Sequence, residues 1–156
     1  MTKRIVVCCD GTWNTPDQTA DGRATPTNVT KVAAAVAESD PTGMDQLVYY
    51  QPGVGTTPWE RIRGGAFGFG LSRSVQQVYR FIVNNYEPGD ELFLFGFSRG
   101  AYMARSTGGL IRNASILRRE NVDQVGAAYD LYRSRTVHPR DVESALFRRS
   151  LSHPEP

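Results

Sequence analysis

Three short, unbroken apolar runs constrain this chain more than any other feature: Ile5-Val6-Val7-Cys8-Cys9, Leu47-Val48-Tyr49-Tyr50 and Leu92-Phe93-Leu94-Phe95. None alternates polar with apolar residues. Runs of this length, bounded by turn residues, suit strands covered on both faces, which is the habit of parallel sheets. Helical patterns lie between them. Val29, Val32, Ala33 and Val36 recur at helical spacing behind the capping candidates Thr27 and Asn28. Val75, Val78, Tyr79, Ile82 and Tyr86 do the same after Ser72, and Pro88-Gly89 ends that helix. The third run leads into Gly96-Phe97-Ser98-Arg99-Gly100 and a pattern of Ala101, Ala104, Gly108 and Ile111. The order β-α-β-α-β-α predicts an α/β fold with a parallel sheet and helices on both faces.

The expected division is a βαβαβα core over residues 1–112 and a helical extension over 113–156, with no strand-like run in the extension. There Val122, Val125, Tyr129 and Tyr132 form one stripe behind Asn121. Val142 and Leu146 form another, with Pro139 placed for a helix start. Two connections are long and polar or glycine-rich, Asp10 to Pro26 and Gly53 to Gly70. Both leave the C-terminal ends of predicted strands, where open α/β sheets place their ligands. Trp59, Phe67 and Phe69 in the second are candidates for contact with acyl chains or a membrane surface, or for packing on neighbouring helices.

Composition excludes several classes. With 40% hydrophobic residues the chain is too apolar for disorder, and no apolar run approaches the roughly 20 residues of a membrane helix. Only five apolar residues precede Asp10, too few for a signal-peptide core, so the expected location is cytoplasmic, with signal-independent export left open. Net charge is +2, and no stretch gathers the cations that nucleic-acid binding requires. Cys8 and Cys9, adjacent on a strand, point to opposite faces and read as buried, reduced residues. No metal-ligand spacing occurs, and no cofactor is expected.

Two constellations carry chemistry. Gly96-Phe97-Ser98-Arg99-Gly100 is a G-x-S-x-G pentapeptide between a buried strand and a helix, the context of a nucleophile elbow. A sharp turn there lifts the Ser98 hydroxyl to the top of the sheet, and the Arg99 N–H at the helix start faces a developing oxyanion. The plainer reading is a tight turn with a capping serine. Asp10-Gly11-Thr12-Trp13-Asn14 ends the first strand, with Gly11 and Thr12 as candidates for a second oxyanion N–H. Asp10 either supports this loop by accepting backbone hydrogen bonds or takes part in catalysis.

These motifs, with Gln51-Pro52-Gly53-Val54-Gly55-Thr56 between them, resemble the uncharacterised α/β-hydrolase domain family that includes type VI secretion phospholipase effectors, from about Ile5 to Ile111. The resemblance implies an α/β-hydrolase-like three-layer sandwich, a serine nucleophile at Ser98 and ester substrates, phospholipids among them. It also implies an acid and a histidine on later strands, and these are not identifiable here: His138 precedes a helix entrance and His153 sits in the tail. The expectation is therefore the N-terminal portion of a hydrolase domain with an exposed sheet edge. Self-association, a complementing chain and peripheral membrane contact are its expected partners. The alternatives are a non-catalytic interaction module on the same fold and a haloacid-dehalogenase-like phosphatase, whose first aspartate is here Cys8.

Overall fold

The structure is a computed structural model that describes residues 2–12, 14–53 and 67–154, with the backbone alone for 67–69. Trp13, Val54 to Thr56 and Trp59, and the side chains of Phe67 and Phe69, lie outside the described residues.

Each apolar run forms a strand. β1 is Arg4–Cys9; a two-stranded hairpin, β2 Thr19–Ala20 and β3 Arg23–Ala24, follows; β4 is Gln46–Gln51 and β5 is Glu91–Gly96. The main sheet has the order β4-β1-β5 and is parallel throughout, with Ile5 opposite both Leu47 and Leu92, and Cys9 opposite both Gln51 and Gly96. The helices are α1 Asn28–Ala35, α2 Phe67–Asn85, α3 Arg99–Ala114, α4 Val125–Arg133 and α5 Val142–Leu151, with a 3₁₀ helix over Arg119–Gln124. This is an α/β fold. Among the described residues no helix is long and apolar enough to cross a membrane.

The period-2 alternation of β1 divides the core. Ile5, Val7 and Cys9 face Val75, Val78, Tyr79 and Ile82 of α2 and Met103 and Leu110 of α3, all essentially buried. Ile116, Leu117, Val125 and Ala128 join the same cluster, so residues beyond 112 pack into the core itself. Val6 and Cys8 face the other way, onto Val29, Val32 and Val36 of α1. The two cysteines thus sit in different layers, both free and buried. Burial pushes the Cys8 thiol up to about 11 and that of Cys9 up to about 12, so neither is a nucleophile at neutral pH.

Three expectations need correction. The sheet is not covered on both faces everywhere: Phe93 and Phe95 of β5 are 42% and 39% exposed, because α1 spans only the β1–β4 side of its layer. Helix α2 begins at Phe67, inside the stretch read as a glycine-rich connection. Gly68 and Gly70 lower helix propensity by about 1 kcal/mol each relative to alanine, which a long, packed helix absorbs. Helix α5 begins at Val142 behind the cap residue Asp141, so Pro139 lies in the turn before it.

Candidate active site

Three chain segments meet at the C-terminal end of the sheet. β5 ends where the Phe97 N–H donates to the Cys9 carbonyl at 3.1 Å, and the next residue turns sharply. Ser98 has φ 53° and ψ −120°, a conformation that costs a non-glycine residue roughly 1–3 kcal/mol. The turn is enforced from both sides. A Cβ on Gly96 would stand 2.4 Å from the Gly100 carbonyl oxygen, and one on Gly100 would stand 2.0 Å from the Cys9 carbonyl oxygen. Two glycines therefore let α3 start against the ends of β1 and β5. Ser98 is exposed, and its side chain makes no capping bond to the helix. Its carbonyl accepts from the Ala101 and Tyr102 N–H groups at 3.0 and 3.3 Å, so Arg99 is the first residue of the helix, at its positive end. Phe97 and Tyr102 flank the corner, 50% and 52% exposed.

The loop after β1 is fixed by Asp10. This carboxylate is wholly buried and accepts four hydrogen bonds among the described residues. Oδ1 takes the Gly11 N–H at 2.7 Å. Oδ2 takes the hydroxyls of Tyr50 at 2.6 Å, Thr27 at 2.7 Å and Thr30 at 3.0 Å. Thr27 is also the N-cap of α1, accepting the Thr30 N–H at 3.1 Å. One carboxylate thus ties the first loop to α1 and to β4. The Tyr50 phenol is pushed up by its burial and by the hydrogen bond to Asp10. The sequence marks Thr27 as a capping candidate and Tyr50 as a strand residue, but neither of them, nor Thr30, as a partner of Asp10.

The same contacts separate the two oxyanion candidates of this loop. The Gly11 N–H is engaged by Asp10, whereas no hydrogen bond takes the Thr12 N–H among the described residues, and the buried Thr12 Oγ1 also lacks a partner. Gly53 closes the crest from the β4 side: a Cβ there would stand 1.6 Å from the Gly11 carbonyl oxygen. The Gly53 N–H donates to the Asn14 carbonyl at 3.3 Å, and the Asn14 N–H to that of Gly11 at 3.0 Å. The Phe97 ring lies on Gly11, where a Cβ would be 2.9 Å from its Cδ1. Ser98, Arg99, Gly11, Thr12 and Asp10 therefore share one end of the sheet.

Neither histidine does. The His153 N–H donates to the Ile116 carbonyl at 2.8 Å, just beyond the last residue of α3, and its ring meets Tyr86 edge-on at 5.5 Å. The 16 residues of α3 rise about 24 Å, which places His153 at the opposite end of the sheet from Ser98. His138 is exposed and adjoins Pro139, whose carbonyl shares Arg148 Nη1 with that of Asn113 near the same helix end. No group of three metal-ligating side chains occurs among the described residues.

The model of a protein family described as T6SS phospholipase effector Tle1-like, catalytic domain, matches residues 3–152. The uncharacterised protein YEL023C of Saccharomyces cerevisiae is 29% identical over 145 residues, which cover 83% of this chain and 20% of that protein. The chain thus spans about a fifth of the length of this relative. No solved structure matches it. With nearly its whole length matched, and with an α/β sheet whose three strand ends converge on one crest, the chain belongs to the family of Tle1-like catalytic domains of type VI secretion phospholipase effectors.

Proposed function

We propose that this chain carries the nucleophilic part of a serine esterase acting on phospholipid-type esters, with Ser98 as the nucleophile of a Gly96-Phe97-Ser98-Arg99-Gly100 elbow. The observation that carries the reading is the backbone of Ser98, held at φ 53° in a corner where Gly96 and Gly100 leave no room for a Cβ. A plain capping serine has extended backbone and bonds the helix N–H groups; Ser98 does neither. Its Oγ attacks the acyl carbonyl, the alcohol leaves, and water releases the acyl group from the serine ester. The oxyanion that forms is received by the Arg99 N–H and, from the first loop, by Thr12 in preference to Gly11. Asp10 acts as loop support, since every bond it accepts among the described residues holds the scaffold. Phe97 and Tyr102 offer an apolar margin to an acyl chain. With both histidines at the far end of the sheet, an imidazole proton acceptor reaches Ser98 only from outside these residues. No cofactor enters this reading.

The test is labelling by a fluorophosphonate probe. The folded chain is expected to be labelled slowly at Ser98, faster when free imidazole substitutes for the missing base, and not at all as Ser98→Ala. A folded chain that stays unlabelled with and without imidazole supports the second reading, a non-catalytic module on the hydrolase fold. The position of the histidines is the observation favouring that alternative.

A further inference from the structure

At the far end of α3 lies a cavity that the esterase reading leaves unused. Its volume is about 370 Å³, within the roughly 300–1,000 Å³ of small-molecule sites, and Ser115, Arg118, Arg148, Arg149, Ser152 and His153 line it. Among the described residues no carboxylate belongs to this lining. Two of its guanidiniums are fixed by backbone carbonyls. Arg148 Nη1 donates to the Asn113 and Pro139 carbonyls, each at 2.8 Å. Arg118 donates through Nη1 to the Ser152 carbonyl at 2.7 Å and through Nη2 to that of Ser150. Carbonyls orient a guanidinium without cancelling its charge, and each guanidinium has more N–H groups than these contacts use. The one ion pair of the cluster among the described residues joins Arg118 Nε to Glu120 at 3.0 Å; the Glu120 side chain is 69% exposed, so it neutralises little. Arg149 is exposed and has no hydrogen-bond or ion-pair partner among the described residues.

Hydrogen bonds also fix Ser115 of this lining. Ser115, the residue after α3, holds φ 58° and ψ −161°, again a left-handed backbone at a non-glycine residue. Three contacts impose it: its N–H donates to the Ile111 carbonyl at 2.7 Å, its Oγ to the His153 carbonyl at 3.3 Å, and its own carbonyl accepts the Tyr79 hydroxyl at 2.6 Å. Three guanidiniums around one cavity, two of them held by backbone carbonyls, match the oxygens of a phosphoryl group in charge and in fork geometry. We propose that this cavity binds a phosphoryl group, carried by a soluble phosphate or by an anionic lipid headgroup. About 24 Å of helix separates it from Ser98, so it is a second site.

Two arms test this on the full chain. Inorganic phosphate is titrated by calorimetry, and sedimentation is followed with phosphatidylglycerol vesicles against phosphatidylcholine vesicles. Saturable binding is expected in at least one arm, weakened about tenfold or more by Arg149→Ala and unchanged by Arg23→Ala, which removes the same charge from the exposed hairpin. Binding of phosphate identifies the soluble source; capture by phosphatidylglycerol vesicles alone identifies the headgroup. Neither probe bound by a chain of native circular dichroism, or equal weakening by Arg23→Ala, overturns the proposal.

Discussion

At Ser98 the chain accepts a strained backbone where a glycine would be relaxed, and the consequence is measurable. Ser98→Gly removes the strain and is expected to raise stability by about 1 kcal/mol in urea unfolding while abolishing probe labelling. Ser98→Ala keeps its Cβ and is expected to abolish labelling without that gain. A Ser98→Gly variant less stable than Ser98→Ala would contradict the strain argument. Gly100 is the counter-case. An added Cβ there meets backbone, which cannot rotate away, so Gly100→Ala is expected to cost about 3 kcal/mol or more, read from the same unfolding curves. Both glycines of this corner were legible in the sequence, since their spacing around a serine is a known consequence of a tight strand-to-helix turn. The role of Gly53 was not, because its need to be small is set by the Gly11 carbonyl of a distant segment. The partners of Asp10 were equally hidden: Thr27, Thr30 and Tyr50 stand 17, 20 and 40 residues away, beyond any local pattern.

Elements were easier to read than their surroundings. The apolar runs gave all three strands of the main sheet, and Thr27 gave the start of α1, because both signals are local. Asp21-Gly22 also carried a local signal: both residues have positive φ, 50° and 72°, as a two-residue hairpin turn requires, yet the strands they join are only two residues long. What no run length reveals is which faces of a strand are covered. β5 pairs with β1 along one side only, and its other side is free among the described residues. Its unpaired N–H and C=O groups, beside Phe93 and Phe95, form a template for another strand. We therefore expect the chain to self-associate through this edge, with a sedimentation coefficient that rises with concentration. Phe95→Lys, which charges that face, is expected to restore the monomer. A wild-type chain that stays monomeric at high concentration would sink this. The opposite edge is tethered more firmly, since Tyr50 of β4 bonds Asp10 directly. Tyr50→Phe is expected to lose about 1 kcal/mol, and Asp10→Ala more, since it strands the hydroxyls of Thr27, Thr30 and Tyr50 together.

Across the whole molecule the two ends of the sheet are built on opposite terms. The crest is strained at Ser98, which is exposed, and close-packed in its backbone. The base is clamped by charge. Asp90 accepts the Lys3 N–H at 2.9 Å, the Lys3 ammonium and the Glu87 N–H at 2.9 Å, which ties the start of β1 to the turn before β5. Arg4 bridges Asp40 Oδ2 at 2.6 Å and Glu91 Oε2 at 2.8 Å, spanning the starts of β4 and β5. Hydrogen bonds from Thr42, first its hydroxyl, and from the Met44 N–H hold the Asp40 carboxyl well below the usual carboxylate range. For Asp90 burial works the other way, yet the hydrogen bonds from Lys3 and Glu87 outweigh it and the carboxyl is again lowered. A carboxyl lowered by folding stabilises the native state above its unfolded value, near pH 4, and that contribution is lost as pH falls through the folded value. The base should therefore loosen in acid. Asp90→Asn tests this directly. Its melting temperature is expected to lie below that of the wild type by a constant margin above about pH 5, with the margin shrinking below about pH 4 as the wild-type carboxylate takes up its proton. Should the margin stay the same from neutral pH down to the acid transition, the clamp would owe its strength to packing, and its charge would be incidental.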